Sequence, residues 1–259
     1  MKKLLLLLLC VPLIGFGQSW EIQYLSNGYD FNTIYFYNDT IGFAVGDNGA
    51  MVKTTDAGDN WININTGITK DITDIQFISQ DTGYICTEGS GFNNSDLFKT
   101  QNGGLTWISI LSINRYSFQK ISRIDLSEII LIGSYRNVNN GIYHGNVMSY
   151  NLNTGYTNDL EMNSYCEYYD SYFYSPNSYT LCGGVKSGTS PSPSNYIKTN
   201  ISGVNVTVNY PPNWGYKELF SMDILDANPT NSVMVGNDGG IYNLSNMTSV
   251  NNVITENTS

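Results

Sequence analysis

Short runs of apolar and β-branched residues, broken by polar turns, occupy most of this chain. Ile34-Tyr35-Phe36-Tyr37, Phe43-Ala44-Val45-Gly46 and Ala50-Met51-Val52-Lys53 are separated by Asp39-Thr40-Ile41-Gly42 and by Asp47-Asn48-Gly49. Runs this short, bounded by Asn, Asp and Gly, predict strands rather than helices. Asn48-Gly49 is a strong hairpin signal, because both residues tolerate positive φ. The scheme then returns. Ile72 to Ile78, the turn Asp81-Thr82-Gly83, Tyr84-Ile85-Cys86-Thr87 and Leu97-Phe98-Lys99-Thr100 form a second copy. Ile121 to Leu126, Ile129 to Gly133 and Gly145 to Tyr150, with Asn153-Thr154-Gly155 as a turn, form a third. A fourth carries a Ser- and Pro-rich insert at 187–194, read as a surface loop. In the fifth, Asn237-Asp238-Gly239-Gly240 restates Gly46-Asp47-Asn48-Gly49. The fold class expected is all-β.

The units lie at about 32–66, 71–111, 118–162, 165–210 and 217 to the C-terminus. Gly46, Gly89, Gly133, Gly183 and Gly236 close their second strands at intervals of 43, 44, 50 and 53 residues, the period of a propeller blade. Five four-stranded blades are therefore expected, with an open or incomplete array as the alternative. The segment 18–25 precedes the first unit and reads as an orphan outer strand that pairs with the last blade.

One nine-residue frame is repeated most closely. Lys53-Thr54-Thr55-Asp56-Ala57-Gly58-Asp59-Asn60-Trp61 returns as Lys99-Thr100-Gln101-Asn102-Gly103-Gly104-Leu105-Thr106-Trp107. A worn copy, Lys198-Thr199-Asn200-Ile201-Ser202-Gly203-Val204-Asn205-Val206, sits in the fourth unit. Asp56 and Asn102 are expected to accept backbone N–H bonds in a tight turn. Gly58 and Gly104 are expected to supply positive φ. Trp61 and Trp107 are expected to open the outgoing strand and bury a ring. The frame resembles the Asp-box of BNR-type β-propellers, and the longer Gly-Tyr/Phe…Lys-Thr…Gly-x-x-Trp pattern is most similar to the photosystem II assembly factor Ycf48-like repeat family. The resemblance implies a propeller in which the box is a structural staple. It does not imply photosynthesis.

Met1-Lys2-Lys3, the apolar run from Leu4 and the small residues Gly15-Phe16-Gly17 read as a secretory signal peptide over residues 1–17, with 18–259 as one domain. The apolar run is short for a membrane span, so the mature chain is expected to be exported without membrane insertion, to the periplasm or outside a bacterium. Cys10 follows Leu9, where a lipobox would place a small residue, and is read as part of the leader. The chain carries a formal charge of −10, made two units more acidic by loss of Lys2 and Lys3, which argues against nucleic acid as a partner. Cys166 and Cys182 are the candidate disulfide, and the alternative is that they and Cys86 are small buried hydrophobes. With His144 as the single histidine, no Cys/His metal site and no cofactor is expected.

Asp-box propellers include glycoside hydrolases, so catalysis has to be weighed. Sialidases of that kind clamp a carboxylate with three Arg drawn from separate blades. Here Arg115, Arg123 and Arg136 all fall in or beside the third unit. Asp47, Glu88 and Asp238 occupy equivalent loops and are candidate acids, but Asp in such turns is ordinarily a backbone acceptor. His144, in a Gly-rich stretch, is read as a surface residue. The loops that meet at one face hold Tyr116, Tyr135, Trp214 and Tyr216, beside Arg115, Arg136 and Lys217. Of these, Tyr116, Tyr135, Arg136, Trp214 and Tyr216 are the candidate ligand-binding residues, since aromatic rings beside polar groups suit a glycan or a protein loop. The function expected is a monomeric, non-catalytic binding or scaffolding propeller with a protein or glycan partner. The alternative is a divergent glycoside hydrolase or lyase.

Overall fold

The computed structural model describes residues 22–24, 28–89, 94–125, 127–139, 141, 143–164, 167–175, 178–184, 196–201, 204–209, 219–224, 232–236 and 241–243. Residues 1–21, expected to hold the secretory signal, and Cys166, Trp214, Tyr216, Lys217 and Asp238 lie outside these residues. Among the described residues the regular elements are strands, apart from one 3-10 turn at Asp47–Gly49. They form five antiparallel meanders. The first blade is β1 (Phe31–Phe36), β2 (Gly42–Gly46), β3 (Met51–Thr54) and β4 (Ile62–Asn63). The second is β5 (Ile72–Phe77), β6 (Gly83–Thr87), β7 (Asn94–Thr100) and β8 (Ile108–Asn114). The third is β9 (Tyr116–Ile124), β10 (Glu128–Arg136), β11 (Tyr143–Asn151) and β12 (Thr157–Ser164). The fourth is β13 (Glu167–Ser175), β14 (Ser178–Gly184), β15 (Tyr196–Ile201) and β16 (Val204–Asn209). The fifth shows three strands, β17 (Leu219–Ile224), β18 (Ser232–Gly236) and β19 (Ile241–Asn243).

First strands stand side by side, β1 against β5, β5 against β9, β9 against β13 and β13 against β17. They therefore surround a common axis, with the later strands of each blade stepping outward. No comparable contact joins β17 to β1 among the described residues, so the ring is not seen to close there.

The core lies between blades. Phe43, Ile75, Phe77 and Ile85 pack blades one and two together, with the Phe43 and Phe77 rings stacked at 4.5 Å. Tyr84, Leu97, Phe118 and Leu131 join blades two and three, and Ile130, Ile132, Tyr168 and Leu181 join three and four. Second strands have neighbours on both faces, so β2 and β6 are buried at every position. Cys86 and Cys182 are part of this buried set, on β6 and β14. The Cys166–Cys182 pairing lies outside the described residues.

The two box turns share one set of hydrogen bonds. Thr54 Oγ1 accepts the Gly58 N–H at 3.0 Å, and Thr100 Oγ1 accepts the Gly104 N–H at 3.0 Å. Asp56 Oδ1 accepts the Asn60 N–H and Asn102 Oδ1 the Thr106 N–H, each at 2.9 Å. Asn60 and Thr54 hold the Asp56 carboxyl below the ordinary carboxylate range. Gly58 and Gly104 have φ of 100° and 89°, and the residue before each is also left-handed, Ala57 at 63° and Gly103 at 68°. Trp61 and Trp107 lie edge-on to Phe36 and Phe77.

Two sequence expectations change. Gly89 is not the counterpart of the other strand-closing glycines. The register sets Thr87 opposite Ile72, as Gly46 is set opposite Phe31. The third blade is longer than expected, because Tyr135 and Arg136 continue β10 by pairing with His144 and Tyr143.

Candidate functional site

All five first strands skip a residue in their register with the second strand, at the same place. The skips fall between Phe31 and Thr33, Ile72 and Asp74, Phe118 and Lys120, Tyr168 and Asp170, and Leu219 and Ser221. Each leaves one residue without a partner, and such a bulge bends the strand and re-aims a side chain. In the first four blades the extra residues are Asn32, Thr73, Gln119 and Tyr169, and all four line a cavity of about 460 Å³ among the first strands. Thr33, Asp74, Lys120 and Asp170, which follow the bulges, line it as well. Asp47, Asp71 and Glu88 line it from the loops at that end of the strands.

These side chains also fasten neighbouring blades. Asn32 Nδ2 donates to the Ile72 carbonyl at 3.1 Å, and Thr73 Oγ1 to the Phe118 carbonyl at 2.8 Å. Ile72 and Phe118 precede the bulge in their own strands, so one latch is used twice. Asp74 accepts the Ile75 N–H through Oδ1 and the Ile121 N–H of the next blade through Oδ2, each at 2.9 Å. Lys120 forms an ion pair with Asp170, which also accepts the Ser171 N–H. Asp71 accepts the Asn48 N–H at 2.8 Å, and Asp47 accepts Asn32 Nδ2 at 3.2 Å.

Among the described residues five carboxyl groups and one ammonium thus share the cavity wall, a strongly negative lining. Burial raises the Asp74 carboxyl to about 6, against the lowering effect of its N–H partners and Lys120. Among the described residues no group of three or more His, Cys, Asp or Glu is arranged to hold a metal ion.

Of the aromatic residues expected at the loop face, Tyr116 and Tyr135 come together at the start of β9 and the end of β10, with ring centroids 5.1 Å apart. Tyr116 OH donates to Asp159 at 3.3 Å, and burial with the Asp159 charge pushes this phenol well up. Arg136 lies over the Tyr143 ring. His144 is a half-buried strand residue beside Tyr135, not a surface turn residue, and its Nε2 has no hydrogen-bond partner among the described residues. None of Tyr116, Tyr135 and Arg136 lines the axial cavity, and Trp214 and Tyr216 lie outside the described residues. Of the candidate acids, Asp47 and Glu88 do reach the cavity. The bulge residues carry no motif. Their one signal in the sequence is a polar pair near the start of an apolar strand, as in Thr73-Asp74 and Gln119-Lys120.

Five antiparallel four- or three-stranded blades, arranged by their first strands around an axis, make this chain a β-propeller. Solved structures agree. The chain is similar to a GH74 enzyme of Niastella koreensis, at 17% identity and a TM-score of 0.57 over 79% of this chain, and to the GH74 xyloglucanase of Xanthomonas campestris, at 8% identity and 0.53 over 78%. It spans about a third of the length of each, 34%. A structure of YCF48 bound to D1 peptide aligns at 16% identity and a TM-score of 0.49, over 87% of this chain and 82% of that one. No family model matches the chain, and no curated protein matches it in sequence.

Proposed function

We propose that this chain is an exported, non-catalytic propeller of Asp-box repeats that binds a protein or glycan at the cell envelope or outside the cell. The observation that carries the reading is the engagement of the axial carboxylates. Asp47, Asp71 and Asp74 accept hydrogen bonds that fix a loop or a neighbouring blade, and Asp170 is tied to the third blade by its ion pair with Lys120, the work of structural groups. The Tyr116–Tyr135 pair lies at the same end of the strands and offers apolar area with polar tips to a partner. The leader-like residues 1–17 support export. Among the described residues no helix is long and apolar enough to cross a membrane.

A second reading, a divergent glycoside hydrolase or lyase, is favoured by the acids gathered at the axis and by Asp74, whose value near 6 suits a general acid. One experiment separates the two. The mature protein is screened on a glycan array and against envelope extracts, with Tyr135→Ala and Trp214→Ala beside it. Saturable binding lost in the variants supports the binding face. Binding that ignores both changes sinks that face. Polysaccharide turnover abolished by Asp47→Ala or Asp238→Ala would establish the enzyme instead.

A further inference from the structure

We propose that the axial cavity is the seat of a cationic side chain, a lysine or arginine carried by a partner polypeptide. The inference rests on the reading of the chain as a binding protein and names the ligand chemistry of its axis.

Three observations meet here. The first is space. A volume of about 460 Å³ lies within the range of sites that enclose a small guest, and a single extended lysine side chain occupies only part of it. The second is the wall. The repeated bulge turns Asn32, Thr73, Gln119 and Tyr169 inward from four successive blades, so amide, hydroxyl and phenol groups surround the volume from several sides. The third is the charge. The cavity already receives one ammonium, that of Lys120, which is spent on Asp170. Among the described residues Asp47, Asp71 and Asp74 form no salt bridge, and their hydrogen-bond donors are neutral, an asparagine amide and backbone N–H groups. Such donors fix the carboxylates in place without cancelling their charge. A guest cation therefore meets preorganised acceptors, and less side-chain ordering opposes its entry.

The alternatives fit less well. An anionic guest meets five carboxyls at the wall. A neutral guest forgoes the strongest interaction on offer, since hydrogen bonds between charged partners are about twice as strong as neutral ones. A multivalent metal ion would want three or more ligands on one point, and no such group occurs among the described residues.

The test is calorimetric titration of the mature protein, at low salt and slightly above neutral pH. The probes are the capped tripeptide Gly-Lys-Gly and the same peptide with its lysine Nε-acetylated. Saturable binding of the free amine and none of the acetylated form is expected. Asp47→Asn and Asp71→Asn should each weaken it by about tenfold, the scale of one lost charge contact. Asp59→Asn and Asp81→Asn remove the same charge from exposed turns at the far end of the strands and should leave it unchanged. If thermal melting shows either cavity variant misfolded, Glu88→Gln takes its place. Equal binding of the acetylated peptide, equal loss in the exposed variants, or no heat with the amine overturns the inference. If the wild-type chain captures an envelope partner and Asp47→Asn captures it equally, the binding reading stands and the cavity inference alone falls.

Discussion

The Asp74 carboxylate on β5 accepts the backbone N–H of Ile121 on β9, at 2.9 Å. A side chain of one blade thereby completes a backbone group of the next, at the wall of the axial cavity. Asp74 is 8% exposed, and its burial outweighs its hydrogen bonds in setting its protonation.

That balance has a pH signature. The folded carboxyl is raised from 3.8 to about 6, so the folded chain binds its proton more tightly than the unfolded chain. A raised acid stabilises the fold most below about pH 4 and loses that contribution as pH rises through 6. Wild type should therefore lose about 2 kcal/mol relative to Asp74→Asn between these limits. The variant itself should be less stable throughout, because an amide nitrogen faces a backbone N–H that had an acceptor. Urea titrations of both proteins across this range measure the difference, and parallel pH profiles would overturn the assignment.

Much of this architecture was legible in the chain, and the reason is local. Turn residues such as Asn48-Gly49 and the two nine-residue boxes act within a few positions, so their pattern survives in sequence. The blade count followed from the five strand-and-turn units and their glycine spacings of 43, 44, 50 and 53 residues. The cavity was less legible because a bulge is a property of register between two strands. Nothing in Ile72-Thr73-Asp74 by itself reveals that Thr73 is unpaired. Asp47 and Glu88 were recognised as equivalent loop acids, whereas Asp74 and Asp170 were hidden inside predicted strands. The length of β10 was missed for a similar reason, since Tyr135 and Arg136 are held in the strand by partners on β11.

The box threonines should matter more for stability than their small size suggests. Thr54 and Thr100 are each 1% exposed, and each hydroxyl accepts the N–H of the glycine four residues on. Valine keeps the shape and removes the acceptor. Thr54→Val and Thr100→Val should each cost about 1–3 kcal/mol, the range for a buried donor left unsatisfied. Denaturant midpoints with unchanged slopes would show this. An effect below a few tenths of a kcal/mol would mean that the box turn does not depend on its hydroxyl.

Ala57 and Gly103 occupy the same place in the two boxes, with φ of 63° and 68°. Their N–H groups also do the same work, donating to the Thr40 and Asp81 carbonyls at 3.0 Å. Only the first position has a Cβ to strain in this left-handed conformation. Ala57→Gly should stabilise the protein by about 0.5–1 kcal/mol, the left-handed relief less the added freedom of the unfolded chain. Gly103→Ala should do the reverse. A melting temperature that falls in Ala57→Gly contradicts this account.

Gly133 tests whether the bulge that opens the cavity depends on close approach of β9 and β10. A Cβ at Gly133 would stand 1.9 Å from the Ser117 carbonyl oxygen, and one at Gly46 would stand 1.9 Å from the Asp30 carbonyl oxygen. Both obstacles are backbone, so relief requires the first strand to move. Blade two has Thr87 at the matching register, where the hydroxyl accepts the Asp96 N–H at 2.9 Å, so a side chain there is tolerated only with its own local arrangement. Gly133→Ala should therefore cost about 3 kcal/mol or more, as expected for overpacking against a rigid neighbour. It should also shift β9 near Gln119 and Lys120, the bulge and cavity residues that follow. Amide hydrogen exchange reads both effects, with protection lost first in β9 and β10. Loss spread evenly over all blades would mean that the glycine serves general stability and not the bulge.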